Sequence, residues 1–306
     1  MIWLPSRYAE ARALNRHYGT TYYCAIQALP RADRRHVYAL YGFCRYADEI
    51  VDDTGGATTV QRADALASLE ADFQNAWPGG EPKTPVVAAL VESMRDLGLG
   101  DELVTRFLRS MAMDLSVTSY ETWAELCGYM DGSAAVVGEM VLPILCPEPV
   151  EGTLAAARQL GVAFQMTNFL RDVTEDLRRF GADPRAREVT PEWSELMRFE
   201  IARTRDLYRQ ATHGIRHLPR RAAACVRAAA ALYEGILNQI EANRYDVFTR
   251  RARVALPIKI GVTAYFLLDA AFPPARAHRV GTAPVRRSGL GTTHPTEEPT
   301  WSTTNT

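Results

Sequence analysis

Two sets of polar residues interrupt otherwise apolar stretches of this chain. Tyr41, Arg45, Asp48 and Asp52 are spaced by four, three and four; Gln165, Asn168, Asp172 and Asp176 are spaced by three, four and four. At about 100° per residue each set falls on one face of a helix. Glu49, Asp53, Arg171 and Glu175 flank the sets, while Phe164, Met166, Phe169, Leu170 and Val173 read as core. Carboxylates four apart repel by roughly 0.2–0.5 kcal/mol even on an exposed helix, and burying them costs far more without a compensating cation. Two such pairs, each aligned with tyrosine, amide or arginine partners, predict a cation site. All-oxygen donors select a hard ion, and Mg2+ typically takes one or two carboxylates plus substrate phosphate oxygens. Arg45 and Arg171 then contact the same phosphates. Glu121 and Glu125, an acidic pair with no aligned arginine or amide, read instead as a solvated face.

The elements that position these residues are helical. Alanine-rich segments with apolar residues at three- and four-residue spacing predict helices over about 31–53, 58–76, 83–97, 101–115, 120–145, 151–177, 191–217, 219–244 and 250–271. Breakers such as Pro78-Gly79-Gly80, Gly98 with Gly100, and Gly181 to Pro184 separate them. Short connections between long helices imply antiparallel packing, so residues 1–272 read as one all-α domain, a single helical bundle. From Pro273 to Thr306 the composition turns to Pro, Thr, Ser, Gly and Arg with few apolar residues, and this stretch reads as a disordered tail.

Composition excludes several classes. At 306 residues the chain buries a large core without disulfide or metal staples. A net charge of −1, from 35 basic and 36 acidic residues, leaves no field to draw it onto nucleic acid. Cys24, Cys44, Cys127, Cys146 and Cys225 form no Cys-x-x-Cys pair, which fits a reducing compartment and argues against a zinc site. No signal-peptide pattern opens the chain, and the longest apolar stretch, Ala134 to Cys146, is too short to span a bilayer. A cytoplasmic protein is expected. His17 and His36 are candidate bases, although lone histidines are more often ordinary surface or core residues.

In its motifs the chain resembles the squalene/phytoene synthase family. The resemblance covers about residues 15–271. It rests on Thr20-Thr21-Tyr22-Tyr23 with Leu29-Pro30, on the run from Tyr41 to Asp53, on Tyr129 to Gly138, on Gln165 to Asp176, and on Tyr245-Asp246-Val247-Phe248 with Arg250, Arg253 and Lys259. It implies an all-α class I isoprenoid-synthase fold with two aspartate-rich helices facing each other across a central cavity. It further implies that Asp48, Asp52, Asp172 and Asp176 hold Mg2+–diphosphate complexes, that Tyr41, Arg45, Gln165, Asn168, Arg171 and Arg253 bind diphosphate, and that Tyr129 lines the reacting centre. Tyr22, Tyr23, Phe43, Phe164 and Phe169 are candidate cavity rings that read equally well as core. The small-residue run Gly132 to Gly138 suits close helix packing or a prenyl chain.

The bacterial phytoene synthases are the most similar in wording. They imply condensation of two geranylgeranyl diphosphates through prephytoene diphosphate to phytoene, without NADPH. A C15 enzyme making presqualene diphosphate, squalene or dehydrosqualene is the alternative, and a non-catalytic isoprenoid-binding or assembly protein is a third. Bulky residues facing the tail end of the cavity would favour C15. So greasy a product on a protein without an anchor implies a loose, peripheral membrane contact. One departure stands out: after Asp176 the chain runs through Leu177-Arg178-Arg179-Phe180-Gly181 to Pro184 without the Tyr-Leu-Pro flap of the family, some ten residues short. A reduced lid over the cavity is expected.

Overall fold

The computed structural model describes residues 6–52, 56–179 and 181–272. Among them there are helices and connections but no strand. In chain order the helices are α1 (Ser6–Tyr18), α2 (Thr20–Ile26), α3 (Arg31–Asp52), α4 (Thr59–Ala76), α5 (Pro85–Leu97), α6 (Glu102–Met113) and α7 (Trp123–Met130). They continue with α8 (Val136–Leu145), α9 (Thr153–Arg179), α10 (Pro191–Ile215), α11 (Arg220–Ala242) and α12 (Leu256–Ala271). Residues through Phe272 belong to one compact unit; the tail reading falls on residues 273–306, outside the described ones.

Three features depart from the sequence-derived helices. α1 and α2 were not foreseen, because the inward face of α1 is carried by Tyr8, Ala11 and Asn15, all fully buried, which is not an apolar stripe. The helix expected over 120–145 is interrupted by a π turn, Asp131–Ala135, between α7 and α8. The last helix starts at Leu256, and residues 246–255 form an irregular segment in which Asp246 accepts from the Phe248 and Thr249 amides.

Two apolar cores flank a central gap. Leu40, Phe43, Ala47 and Val51 of α3 join residues of α4, α5, α6 and α8 in the first core. Met166 and Leu170 of α9 join Met197, Ile201, Leu237 and Ile240 of α10 and α11 in the second. The offset of the two stripes follows from these cores. On α3 the buried positions 40, 43, 47 and 51 are each one residue before Tyr41, Cys44, Asp48 and Asp52, so the polar side is turned about 100° from the core. On α9 the buried positions 163, 166, 170 and 174 are each two residues before Gln165, Asn168, Asp172 and Asp176, about 200° away. Each helix therefore buries one side and turns its acids towards the gap.

Candidate active site

Every residue expected at the site lines one cavity of about 1260 Å3: Tyr41, Arg45, Asp48 and Asp52 from α3, Tyr129 from α7, Gln165, Asn168, Arg171, Asp172 and Asp176 from α9, and Arg253 before α12. The helices meet at its rim, where Arg179 at the end of α9 pairs with the Asp52 carboxylate and donates to the Val51 carbonyl at 3.0 Å. Among the described residues no three His, Cys, Asp or Glu side chains converge into a complete metal cage.

The carboxylates divide by their partners. Asp172 accepts from Arg171 Nε at 2.7 Å and from Arg251 at 2.6 Å. Arg251 also reaches Glu175 at 3.1 Å. Asp48 lacks such a clamp: loss of solvent, then the Asp52 charge, push its carboxyl up to about 7. Asp176 is raised to about 6 by burial and by Asp172. Arg45 lies 3.5 Å from Glu49 and stacks over the Tyr18 ring, 4.1 Å from its centroid, and its buried Nε has no hydrogen-bond partner. The buried Asn168 Oδ1 likewise accepts from nothing.

Hard oxygen donors crowded around one cavity, two of them (Asp48 and Asp176) at raised pKa, beside an orphaned amide acceptor and an arginine paired only loosely with Glu49, fit Mg2+ and phosphate oxygens. The donor set thus suits the divalent ion that the family implies. Asp48, Asp52, Asp172 and Asp176 would hold it, with bound phosphate completing the shell.

Sequence reasoning missed four residues. Asp114, just past α6, accepts from the Tyr129 hydroxyl at 3.0 Å and is raised to about 6, mainly by burial. A lone acid after an amphipathic helix reads as a cap, so only the fold reveals it. Among the described residues Arg251, and not Arg253, is the arginine of the basic terminal stretch that touches an aspartate; Arg253 is exposed and lines the cavity with no ion pair to a described residue. Arg179 belongs to an Arg-Arg run with no helical partner stripe, and Tyr233 comes from α11 without a motif.

Of the candidate rings, Tyr22 and Phe169 line the cavity, Phe43 is core, and Tyr23 stacks on Tyr38. His36 packs away from the cavity, while exposed His17 is at its edge. The Gly132–Gly138 run packs helices closely, since a Cβ on Gly132 would strike Ser110 and one on Gly138 the Ala157 carbonyl, and its Ser133, Ala134, Val137 and Gly138 also line an apolar cavity.

A second, apolar cavity of about 280 Å3 shares Tyr22, Tyr41, Cys44, Ser133, Gln165 and Asn168 with the polar one. Small residues such as Ala25, Ala156, Ala157, Gly161 and Gly214 make up much of its wall, and its rings are Tyr22, Tyr41 and Phe164. Beyond α9 the chain makes one 3-10 turn, Pro184–Ala186, before α10, and none of residues 181–190 lines the polar cavity. The described part of the connection expected to be a shortened lid, residues 181–190, lies off that cavity.

The family model for squalene/phytoene synthase matches residues 15–257. The chain belongs to the squalene/phytoene synthase family. It is an enzyme of the prenyltransferase type. The 15-cis-phytoene synthase of a Synechocystis species is 34% identical over 279 residues, covering 83% of this chain and 82% of that protein. Phytoene synthase 2 of Solanum lycopersicum is 33% identical, over 79% of this chain and 84% of the other. Among solved structures, a dehydrosqualene synthase superimposes with a TM-score of 0.75 at 24% identity, covering 85% and 95% of the two chains. A squalene synthase from Alicyclobacillus acidocaldarius gives 0.66 at 26% identity, covering 79% and 97%. No described helix is long and apolar enough to cross a membrane.

Proposed function

We propose that this synthase joins two geranylgeranyl diphosphates head to head, through prephytoene diphosphate, to phytoene. The observation that carries the reading is the pairing of a carboxylate- and arginine-lined cavity with an apolar extension that shares its wall. An allylic diphosphate is an amphiphile of that shape. Its headgroup suits Arg45, Arg171, Arg251 and Arg253, with the Gln165 and Asn168 amides and the Tyr41 hydroxyl as donors. Bound Mg2+ supplies charge to meet the departing diphosphate. Arg45 and Arg171 meet the same developing charge with planar donor forks.

Once diphosphate leaves, the allylic cation faces rings instead of water. Tyr22, Phe164 and Tyr233 form one cluster, with centroids 4.5–5.5 Å apart, and Tyr129 lies 6.4 Å from Phe169. Their π faces favour a nearby cation. Tyr129 is fixed by its bond to Asp114, so its hydroxyl oxygen is held in one place in the cavity. The last cation loses a proton and accepts no hydride, so this reading needs no NADPH.

Small wall residues in the apolar cavity favour a C20 chain, as does the likeness to phytoene synthases. The C15 alternative is favoured by the structural likeness to squalene and dehydrosqualene synthases. Membrane lipid is the natural reservoir of both substrate and product, so peripheral contact with it belongs to the reading. The test is product identity. Purified protein with Mg2+ and labelled C20 or C15 diphosphate, with and without NADPH, is extracted and the extract separated. Phytoene from C20 without NADPH is the expected result. C30 products alone would transfer the assignment to the alternative, and no product from either substrate would favour a non-catalytic binding protein.

A further inference from the structure

The last described helix, α12, is apolar on nearly every side. Thr263, Phe266, Leu267 and Ala270 face inward, against α2 and α11. On the other side Leu256, Ile258, Ile260, Tyr265, Leu268 and Phe272 stand between 56% and 76% exposed. At about 100° per residue these six, with Gly261 and Ala264 between them, sweep half the circumference without a charged residue. The helix has two charges, and neither is on that side. Lys259 donates to Thr20 at the cavity wall, and Asp269 sits at the seam with α11, where Arg227 lies 3.7 Å away. A surface helix of a soluble domain normally turns its polar side outward, and one apolar all round is covered by something.

We infer that this face is a docking surface for an anionic lipid bilayer, with α12 lying in the plane of the headgroup–acyl boundary. Charge selects that occupant. Of the eight basic side chains in residues 219–272, Arg251, Arg253 and Lys259 line the polar cavity and Arg227 faces Asp269, which leaves Arg220, Arg221, Arg244 and Arg250 exposed outside it. Exposed Arg220 and Arg221 open α11, with Arg220 bonded to the Asp269 carbonyl, and exposed Arg250 and Arg253 precede α12. An apolar strip rimmed by arginines matches acyl chains beneath acidic headgroups. A second copy of this surface would set one cationic rim against another. The segment after Phe272 is also arginine-bearing and poor in apolar residues, so it complements neither the rim nor the strip. Lys259 of α12 and Arg253 just before it also line the polar cavity, so that cavity opens beside the helix that would meet the bilayer. This last point rests on the functional reading above: an amphiphilic substrate and a hydrocarbon product would then exchange with lipid without passing through water.

The full chain is sedimented at low salt with vesicles of phosphatidylglycerol and phosphatidylcholine, or of phosphatidylcholine alone. Wild type is expected to bind the anionic vesicles at least about tenfold better and to be released by salt. Tyr265→Glu with Leu268→Glu, two exposed positions outside the cavity, is expected to lose that binding about tenfold while helicity, thermal midpoint and turnover of detergent-dispersed substrate stay at wild type. Arg220→Glu with Arg221→Glu is expected to abolish the preference for anionic over neutral vesicles. Wild type left in the supernatant, or a Tyr265/Leu268 variant that binds as wild type does, overturns the inference. A chain ending at Phe272 that binds where the full chain does not would make residues 273–306 the occupant. A dimer lost in the Tyr265/Leu268 variant, with no vesicle binding, would make it a second copy. Vesicle binding with no turnover in any protein would refute the functional reading and leave the surface standing.

Discussion

Burial and the neighbouring Asp52 charge raise Asp48 to about 7, and burial with Asp172 raises Asp176 to about 6. In the folded, metal-free chain both groups hold protons at pH values where the unfolded chain has released them. Stability therefore falls as pH rises from about 4 through about 7, and the penalty is complete above that window. The thermal midpoint without metal is expected to drop between pH 5 and 8. Asp48→Asn should flatten that slope and raise the midpoint at pH 8, while turnover with Mg2+ falls by about a thousandfold. A variant with the wild-type slope would show that Asp48 is not the strained group. Arg171→Lys should also cost about a hundredfold in turnover, because an ammonium cannot replace a planar fork; unchanged kinetics would remove Arg171 from the site. Asp114→Ala is expected to lower kcat about tenfold at nearly constant KM, with Asp114→Asn recovering part of it, because the asparagine Oδ1 still accepts from Tyr129. Equal loss in both variants would mean that the charge, and not the Tyr129 position, matters. The two aspartate stripes were legible because their spacing alone put them on one side of a helix. Asp114, Arg179 and Arg251 were not, because each reaches the cavity by tertiary packing.

At the scale of elements, α9 approaches both α8 and the π turn before it closely enough that glycine is needed at the contacts. A Cβ on Gly161 would collide with the Ala134 carbonyl, as one on Gly138 would with Ala157. Gly138→Ala is expected to destabilise the fold by about 1–3 kcal/mol, read as a lower denaturation midpoint. The π turn between α7 and α8 is tied across by charge: Arg106 reaches Asp131 at 2.8 Å and Glu139 at 3.1 Å, and Arg158 pairs with both acids. This network anchors the turn that follows Tyr129, and no spacing rule exposes it, because its members come from α6, the π turn, α8 and α9. Long amphipathic helices were readable from period alone, with α3 as the plainest case. The start of α12 was not, because the irregular chain before it opens on Asp246 accepting from the Phe248 and Thr249 amides, a local turn with no helical period. That local geometry brings Arg251 to Asp172, where sequence reasoning had favoured Arg253.

For the whole molecule, two cores hold two acidic helix faces on either side of one cavity, and an apolar pocket shares part of that cavity's wall. The class of fold and the family were readable from the sequence; the size and lining of the cavity were not, since they depend on which small residues of α8, α9 and α10 meet. The measurement that tests the account most directly is a competition between equimolar C15 and C20 diphosphates with Mg2+ and no NADPH. Hydrocarbon chain length is read by mass spectrometry, and released diphosphate is counted in the same sample. The account predicts a C40 hydrocarbon with two diphosphates released for each one formed. A C30 product in excess, or a product that keeps one diphosphate, would contradict it.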